Sequence, residues 1–183
     1  MNELKVIEIL KNELGFSDSS IKKLKKFHNY LLEYNKSYNL ISKSTEKSIW
    51  IRHILDSAQI IKLIDESKDY NIVDLGSGAG FPGLIIAIYN ENVRFHVKLY
   101  EKSPVKRAFL RNIKKELDIK NIDIENDVYG KEIVADVIVC RAFKKLEEIL
   151  KISRETVKKP HKLIILKGKN AQSEINNVSL GFN

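Results

Sequence analysis

The stretch Asn71 to Ile88, NIVDLGSGAGFPGLIIAI, restricts what this chain can fold into more than any other part of it. An apolar run holding Ile72, Val73 and Leu75, with Asp74 inside it, leads into four glycines at Gly76, Gly78, Gly80 and Gly83. An apolar-rich segment continues after Pro82 as a helix. The order is strand, tight glycine turn and helix N-terminus. Glycine has no Cβ and tolerates positive φ, so such a turn lets backbone approach a ligand closely. Pro82 suits the first helical turn, where a missing N–H costs little. A nucleotide-like cofactor is the natural candidate.

From Asn71 onward the pattern alternates between strand-like and helix-like runs, which implies an α/β fold with a doubly wound parallel sheet and helices on both faces. The strand-like runs are Ile72 to Leu75, Val93 to Tyr100, Ile122 to Ile124, Val137 to Cys140 and Leu163 to Leu166. In open sheets of this kind ligands sit beyond the carboxyl ends of the strands, so the residues ending each run are the ones to inspect. The first run ends at the glycine turn and the second at Glu101, where a carboxylate can accept both ribose hydroxyls of an adenosine. The third leads into Asn126, Asp127 and Val128. The fourth ends at Arg141, whose rigid fork suits a phosphate or a guanine edge. The fifth ends at Lys167-Gly168.

The cofactor is ambiguous from the glycines alone. Gly78-Ala-Gly80-Phe-Pro-Gly83 also satisfies the dinucleotide fingerprint, with an acidic residue about 20 positions on. Asp74 argues against a dinucleotide, because a carboxylate beside the turn repels a pyrophosphate and suits a cation. S-adenosylmethionine carries a sulfonium and an α-ammonium. The pattern Asp74-x-Gly76-x-Gly78-x-Gly80 resembles the first motif of class I methyltransferases. A nicotinamide-dependent reductase is the competing enzyme reading, and a purely structural turn is the bland one.

Residues before Asn71 read as a helical extension, giving two parts, 1–70 and 71–183. Leu4, Ile7, Leu10 and Leu14 recur at helical spacing before Gly15, and Ser17 to Ser20 caps a second helix whose stripe is Ile21, Leu24, Phe27, His28 and Leu31. Tyr34 to Leu40 is too rich in Asn and Tyr for a regular helix, and Ser42 to Thr45 reads as a cap for the next. That helix carries Ile49, Trp50, His53 and Ile54, with Asp56 three residues after His53, placed to orient it or to cap a turn. A catalytic pair lacks a Ser or Cys partner, so both are read as structural. Ile60, Ile61 and Ile64 close the extension before the polar linker Asp65 to Tyr70.

Charge adds a partner. The formal net charge is +8. Residues 94–120 hold nine Lys/Arg against three acids, and residues 141–170 hold ten against three, whereas 121–140 is acidic. Basic patches of this kind suit a polyanion, with a generic lysine-rich surface as the alternative. The helix opened by Lys102-Ser-Pro104 carries Lys106, Arg107 and Arg111. Cations near a helix N-terminus oppose its dipole, so something other than helix stability favours them there. No apolar run approaches the ~20 residues of a membrane span and no secretory signal is visible, so a cytoplasmic chain is expected. The single cysteine, Cys140, lies in an apolar run and is read as core.

Several separate stretches then match one family in order: YNKSYNL (Tyr34 to Leu40), RHILDS (Arg52 to Ser57), DLGSGAGFPG (Asp74 to Gly83), EKSPVKRAFLR (Glu101 to Arg111), Arg141-Ala142 and Lys167-Gly168. The chain resembles the bacterial 16S ribosomal RNA guanine-N7 methyltransferases, also called glucose-inhibited division protein B. The resemblance implies a class I methyltransferase fold with a helical N-terminal extension, S-adenosyl-L-methionine as methyl donor, and N7 of a guanine in the 530 loop of 16S RNA as acceptor. It implies a cofactor site built from Asp74, Gly76, Ser77, Gly78, Gly80, Phe81, Glu101, Asn126, Asp127, Val128 and Arg141, with Arg141 as the candidate catalytic residue. RNA would be held by Lys102, Lys106, Arg107, Arg111 and Lys167. A monomer without metal or membrane, acting on the RNA or the small subunit, is expected. Class I sheets normally finish with two further strands, and Ala171 to Asn183 is too short for both, so the sheet is expected to lack them. A non-catalytic RNA-binding relative is the alternative function.

Overall fold

The computed structural model describes residues 2–65, 67–89 and 95–178. Five strands form one parallel sheet: β1 (Tyr70–Leu75), β2 (Phe95–Tyr100), β3 (Ile122–Glu125), β4 (Val137–Arg141) and β5 (Lys162–Leu166), in the order β3-β2-β1-β4-β5. The central strands are β-branched runs buried on both faces, as a sheet covered on two sides demands. Val137 to Cys140 are all buried, as are Ile72 to Leu75. Of the second run, Val93 and Arg94 lie outside the described residues.

The registers bring the strand ends level. Leu75 pairs with Tyr100 and with Cys140, and Tyr100 pairs with Glu125. β1 is flanked by β2 on one side and β4 on the other, so the chain leaves β1 in opposite directions and opens a crevice at its carboxyl end.

One face carries most of the helices: α1 (Glu3–Asn12), α2 (Asp18–Asn35), α4 (Gly83–Tyr89) and α5 (Pro104–Glu116). Between α2 and β1 the chain runs through a 3-10 turn (Lys43–Ser48), a π-helical turn (Trp50–Leu55), the short α3 (Asp56–Ala58) and another 3-10 turn (Gln59–Leu63). The other face is covered by α6 (Leu146–Thr156), and α7 (Ala171–Asn177) follows β5. The extension packs into the same core as the sheet: Leu10, Leu24, Phe27 and Ile54 join Ile72, Val97 and Leu99. Ser20 is buried on α2 and its Oγ donates to the carbonyl of Ile88 at 2.8 Å, tying α2 to the end of α4.

Two local expectations need correction. The buried residues of α1 are Val6 and Leu10, and Leu4 is 73% exposed. The buried stripe runs Val6, Leu10, Leu14 because α1 packs on one side only, against the π-helical turn. Asp56 does not orient His53; its carboxylate lies 3.7 Å from Arg141.

Candidate active site

A cavity of about 410 Å³ opens at the carboxyl ends of β1 to β4. Its floor is the glycine turn. Gly76 and Ser77 donate their N–H groups to the carbonyl of Tyr100 (2.9 and 3.0 Å), which staples the turn to the end of β2. Gly78 has φ +58°, and a Cβ there would meet nothing nearer than the Gly76 carbonyl oxygen at 3.9 Å, so the turn leaves room on the cavity side while its own N–H is held by Glu101. Gly83 exists for a packing reason: a Cβ there would lie 2.7 Å from Asp74 Cβ and Oδ2.

Asp74 does not reach the cavity. It is fully buried behind the turn, where Oδ2 accepts the Gly83 N–H at 2.9 Å and Oδ1 has no hydrogen-bond partner among the described residues. Burial raises its carboxyl to about 7, against the opposing pull of the Gly83 N–H. The expected direct contact between this carboxylate and a ligand cation is replaced by an anchoring role: Asp74 points along the face that α4 covers and holds the start of that helix.

Glu101 is buried and lines the cavity. Its Oε2 accepts the Gly78 N–H and its Oε1 the Ser103 N–H, each at 2.8 Å. An ionised carboxylate has about four acceptor positions, so both oxygens retain capacity for a diol. Asn126, Asp127 and Val128 line the wall beyond β3, with Asp127 Oδ1 taking the Val128 N–H at 2.7 Å.

Opposite them stands Arg141, which joins three elements. Its Nη1 donates to the carbonyl of Arg52 (2.9 Å) and its Nη2 to His53 Nδ1 (2.7 Å). Its guanidinium also lies 5.0 Å from the centre of the Phe81 ring. His53 stacks on the same ring, with centroids 5.0 Å apart. A guanidinium can only donate, so His53 Nδ1 is the acceptor and Nε2 carries the proton, which it offers to Thr45 Oγ1 at 2.9 Å. Burial, with the Arg141 and Arg52 charges, lowers the imidazole to about 4. His53 is neutral at ordinary pH with its lone pair taken.

The basic candidates divide. Lys102 and Lys106 line the cavity, and Arg111 is exposed on α5. Arg107 folds back instead, its Nη1 donating to the carbonyls of Glu101 (2.8 Å) and Lys102 (2.6 Å). Lys167 is only 17% exposed in its side chain and is committed to Glu174 Oε2 (2.8 Å) and the Lys144 carbonyl (2.7 Å). Both are correctives to a count of charges, since their partners satisfy them within the fold. Gly76, Ser77, Gly78 and Phe81 line the cavity; Gly80 lies against Leu84. Sequence reasoning left His53 as structural and gave no place to Leu40, Ile41 or Phe143, all of which line the wall. The RHILDS block was the available signal for His53.

The residues fit an S-adenosylmethionine-type cofactor: the turn at Gly78 leaves space that a side chain would narrow, and Glu101 on the cavity wall keeps acceptor capacity for a diol. Fold and site together define a class I methyltransferase. The fold is shared with protein-L-isoaspartate O-methyltransferase (TM-score 0.57, 19% identity, covering 90% of this chain and 55% of that one). It is shared also with coclaurine N-methyltransferase, solved with N-methylheliamine and SAH (TM-score 0.50, 16% identity, 89% and 58%).

Within that class the chain belongs to the GidB family, rRNA small subunit methyltransferase G, whose family model matches residues 20–180. Relatives named ribosomal RNA small subunit methyltransferase G include those of Rickettsia felis (40% identity over 156 residues, 85% of this chain and 78% of the relative) and Orientia tsutsugamushi (36% over 172 residues, 93% and 83%). The family is one of S-adenosylmethionine-dependent methyltransferases.

Proposed function

We propose that this enzyme methylates N7 of a guanine in the 530 loop of the 16S RNA of the small ribosomal subunit. The observation that carries this reading is the state of His53. It is the imidazole at the cavity wall, and its lone pair is already taken by Arg141. An acceptor that must lose a proton is poorly served by such a site. Guanine N7 has an in-plane lone pair and no proton, so it attacks without a base.

When bound, S-adenosylmethionine supplies an electrophilic methyl group on a sulfonium. The protein's part is orientation and exclusion of water. Glu101 and the Gly78 turn hold the nucleoside end of the donor, and Asp127 and Val128 flank its base. Arg141 spends one N–H of each terminal nitrogen on Arg52 and His53, and a remaining N–H serves the guanine O6, where a hydrogen bond accommodates the positive charge that reaches the purine. Lys102, Lys106 and Arg111 meet the RNA phosphates. In this reading residues 1–70 form the helical extension that closes one wall of the site, and residues 71–183 form the cofactor-binding domain.

Calorimetric titration with S-adenosylmethionine and, separately, NADH tests the cofactor. Methyl transfer to under-methylated small subunits, mapped by N7-specific strand cleavage, tests the acceptor. Saturable methyl-donor binding, N7 modification and loss of transfer in Arg141→Ala are expected. Modification at an exocyclic amine, or NADH binding in place of the methyl donor, refutes the reading.

A further inference from the structure

The turn that follows α2 forms the lip of the cavity, and its backbone is pinned. Asn35 is buried, and its Oδ1 accepts the N–H groups of Leu40 (2.8 Å) and Ile41 (2.9 Å), the two lip residues that line the cavity. Tyr38 N donates to the Tyr34 carbonyl at 2.9 Å, and Leu40 N to the Tyr38 carbonyl at 2.7 Å. On this fixed backbone the Tyr38 side chain is 47% exposed. A rigid backbone holding out a large ring is a poor use of apolar surface unless something stacks on it.

The register between α2 and α5 says what lies beside that ring. Tyr30 donates to Glu116 (2.9 Å), Asn112 donates to Tyr34 (3.1 Å), and the Tyr34 and Phe109 rings are 5.3 Å apart. One turn forward on α2 is thus one turn back on α5. The Tyr34 and Tyr38 rings, 6.3 Å apart, continue the series. Tyr38 lies just beyond the end of α2, and the same spacing points it toward Ala108 on α5, one turn past Val105, which is 44% exposed; Lys102 and Lys106, at the start of that helix, line the cavity. Exposed Arg111 lies farther along the same helix.

An exposed aromatic two residues from the lip of a cavity whose wall also holds two lysines has the chemistry of a single-stranded nucleic acid site: cations track the backbone while the ring takes a base face. Duplex RNA hides its base faces and buries guanine N7 in a deep, narrow groove, so it fits neither the ring nor the cavity. We propose that Tyr38 is a stacking platform for an unpaired base neighbouring the target guanine, so that the substrate segment is read as a splayed single strand. This rests on the RNA acceptor proposed above and adds the form in which the RNA is held.

The test uses the full chain and a short fluorescent oligoribonucleotide carrying one unpaired guanine. Tyr38→Ala is expected to weaken binding roughly tenfold, since base–aromatic stacking is of that order. Tyr38→Phe, which keeps the ring, binds as the wild type does. Methyl-donor affinity and melting temperature stay unchanged in both. An abasic residue beside the guanine weakens binding to the wild type and has no further effect on Tyr38→Ala. Wild-type affinity in Tyr38→Ala, or an equal loss on fully paired RNA, overturns the platform alone. Failure of the wild type to bind any RNA overturns the acceptor reading and the platform with it.

Discussion

His53 and Asp74 bias stability against pH in opposite directions, and separating them tests the electrostatics of the site. His53 is held at about 4, first by burial and then by the charges of Arg141 and Arg52, against an ordinary 6.5. Below pH 6.5 the unfolded imidazole takes a proton that the folded one refuses. Its contribution is therefore full above 6.5 and is lost as pH falls toward 4. Asp74 is raised to about 7 by burial, against an ordinary 3.8. Its contribution is full below 3.8 and is lost as pH rises toward 7.

One pH unit of differential protonation is worth about 1.4 kcal/mol. Between pH 4 and 6.5 the two slopes nearly cancel, each amounting to about 3 kcal/mol over the window. Asp74→Asn keeps an acceptor for the Gly83 N–H and removes the titration. Its stability relative to the wild type rises by about 1.4 kcal/mol per pH unit across the window. His53→Phe keeps a ring on Phe81 and gives the opposite slope. Urea unfolding followed by circular dichroism at several pH values reads both slopes, with the other carboxylates common to all three proteins. A stability difference between Asp74→Asn and the wild type that stays constant from pH 4 to 6.5 refutes a protonated Asp74.

Three further outcomes are expected. Gly83→Ala places a methyl group 2.7 Å from Asp74 Cβ, and overpacking of this kind costs about 1–3 kcal/mol, which calorimetry reads as a melting temperature several degrees lower. Lys106→Met weakens RNA binding and lowers the salt slope by about one, whereas Lys167→Met leaves RNA affinity unchanged, because its amine is already spent on Glu174 and the Lys144 carbonyl.

The sheet was legible in the sequence because its strands are short β-branched runs buried on both faces, and the glycine turn because its spacing fixes a strand-to-helix connection. The ends of four strands pointed to Gly78, Glu101, Asp127 and Arg141, all of which line the cavity. The fate of the charged side chains was not legible. Lys167 finds its partner on α7, seven residues on, and Arg107 turns back onto carbonyls at the end of β2. Either could have faced solvent with the same local sequence. Asp74 shows the same limit: its place in the motif is plain, but only the packing of α4 reveals that it is sealed behind the turn.

The link between His53 and Arg141 gives the chain an optical handle. The only tryptophan, Trp50, stands at the start of the π-helical turn that also carries His53. Its indole is buried, lies 5.7 Å from the His28 ring, and has no partner for Nε1 among the described residues. Any movement of that turn away from the sheet wets the indole and shifts its emission to the red. The intrinsic fluorescence of the chain is thus a direct readout of whether the extension is seated against Arg141, and it needs no label.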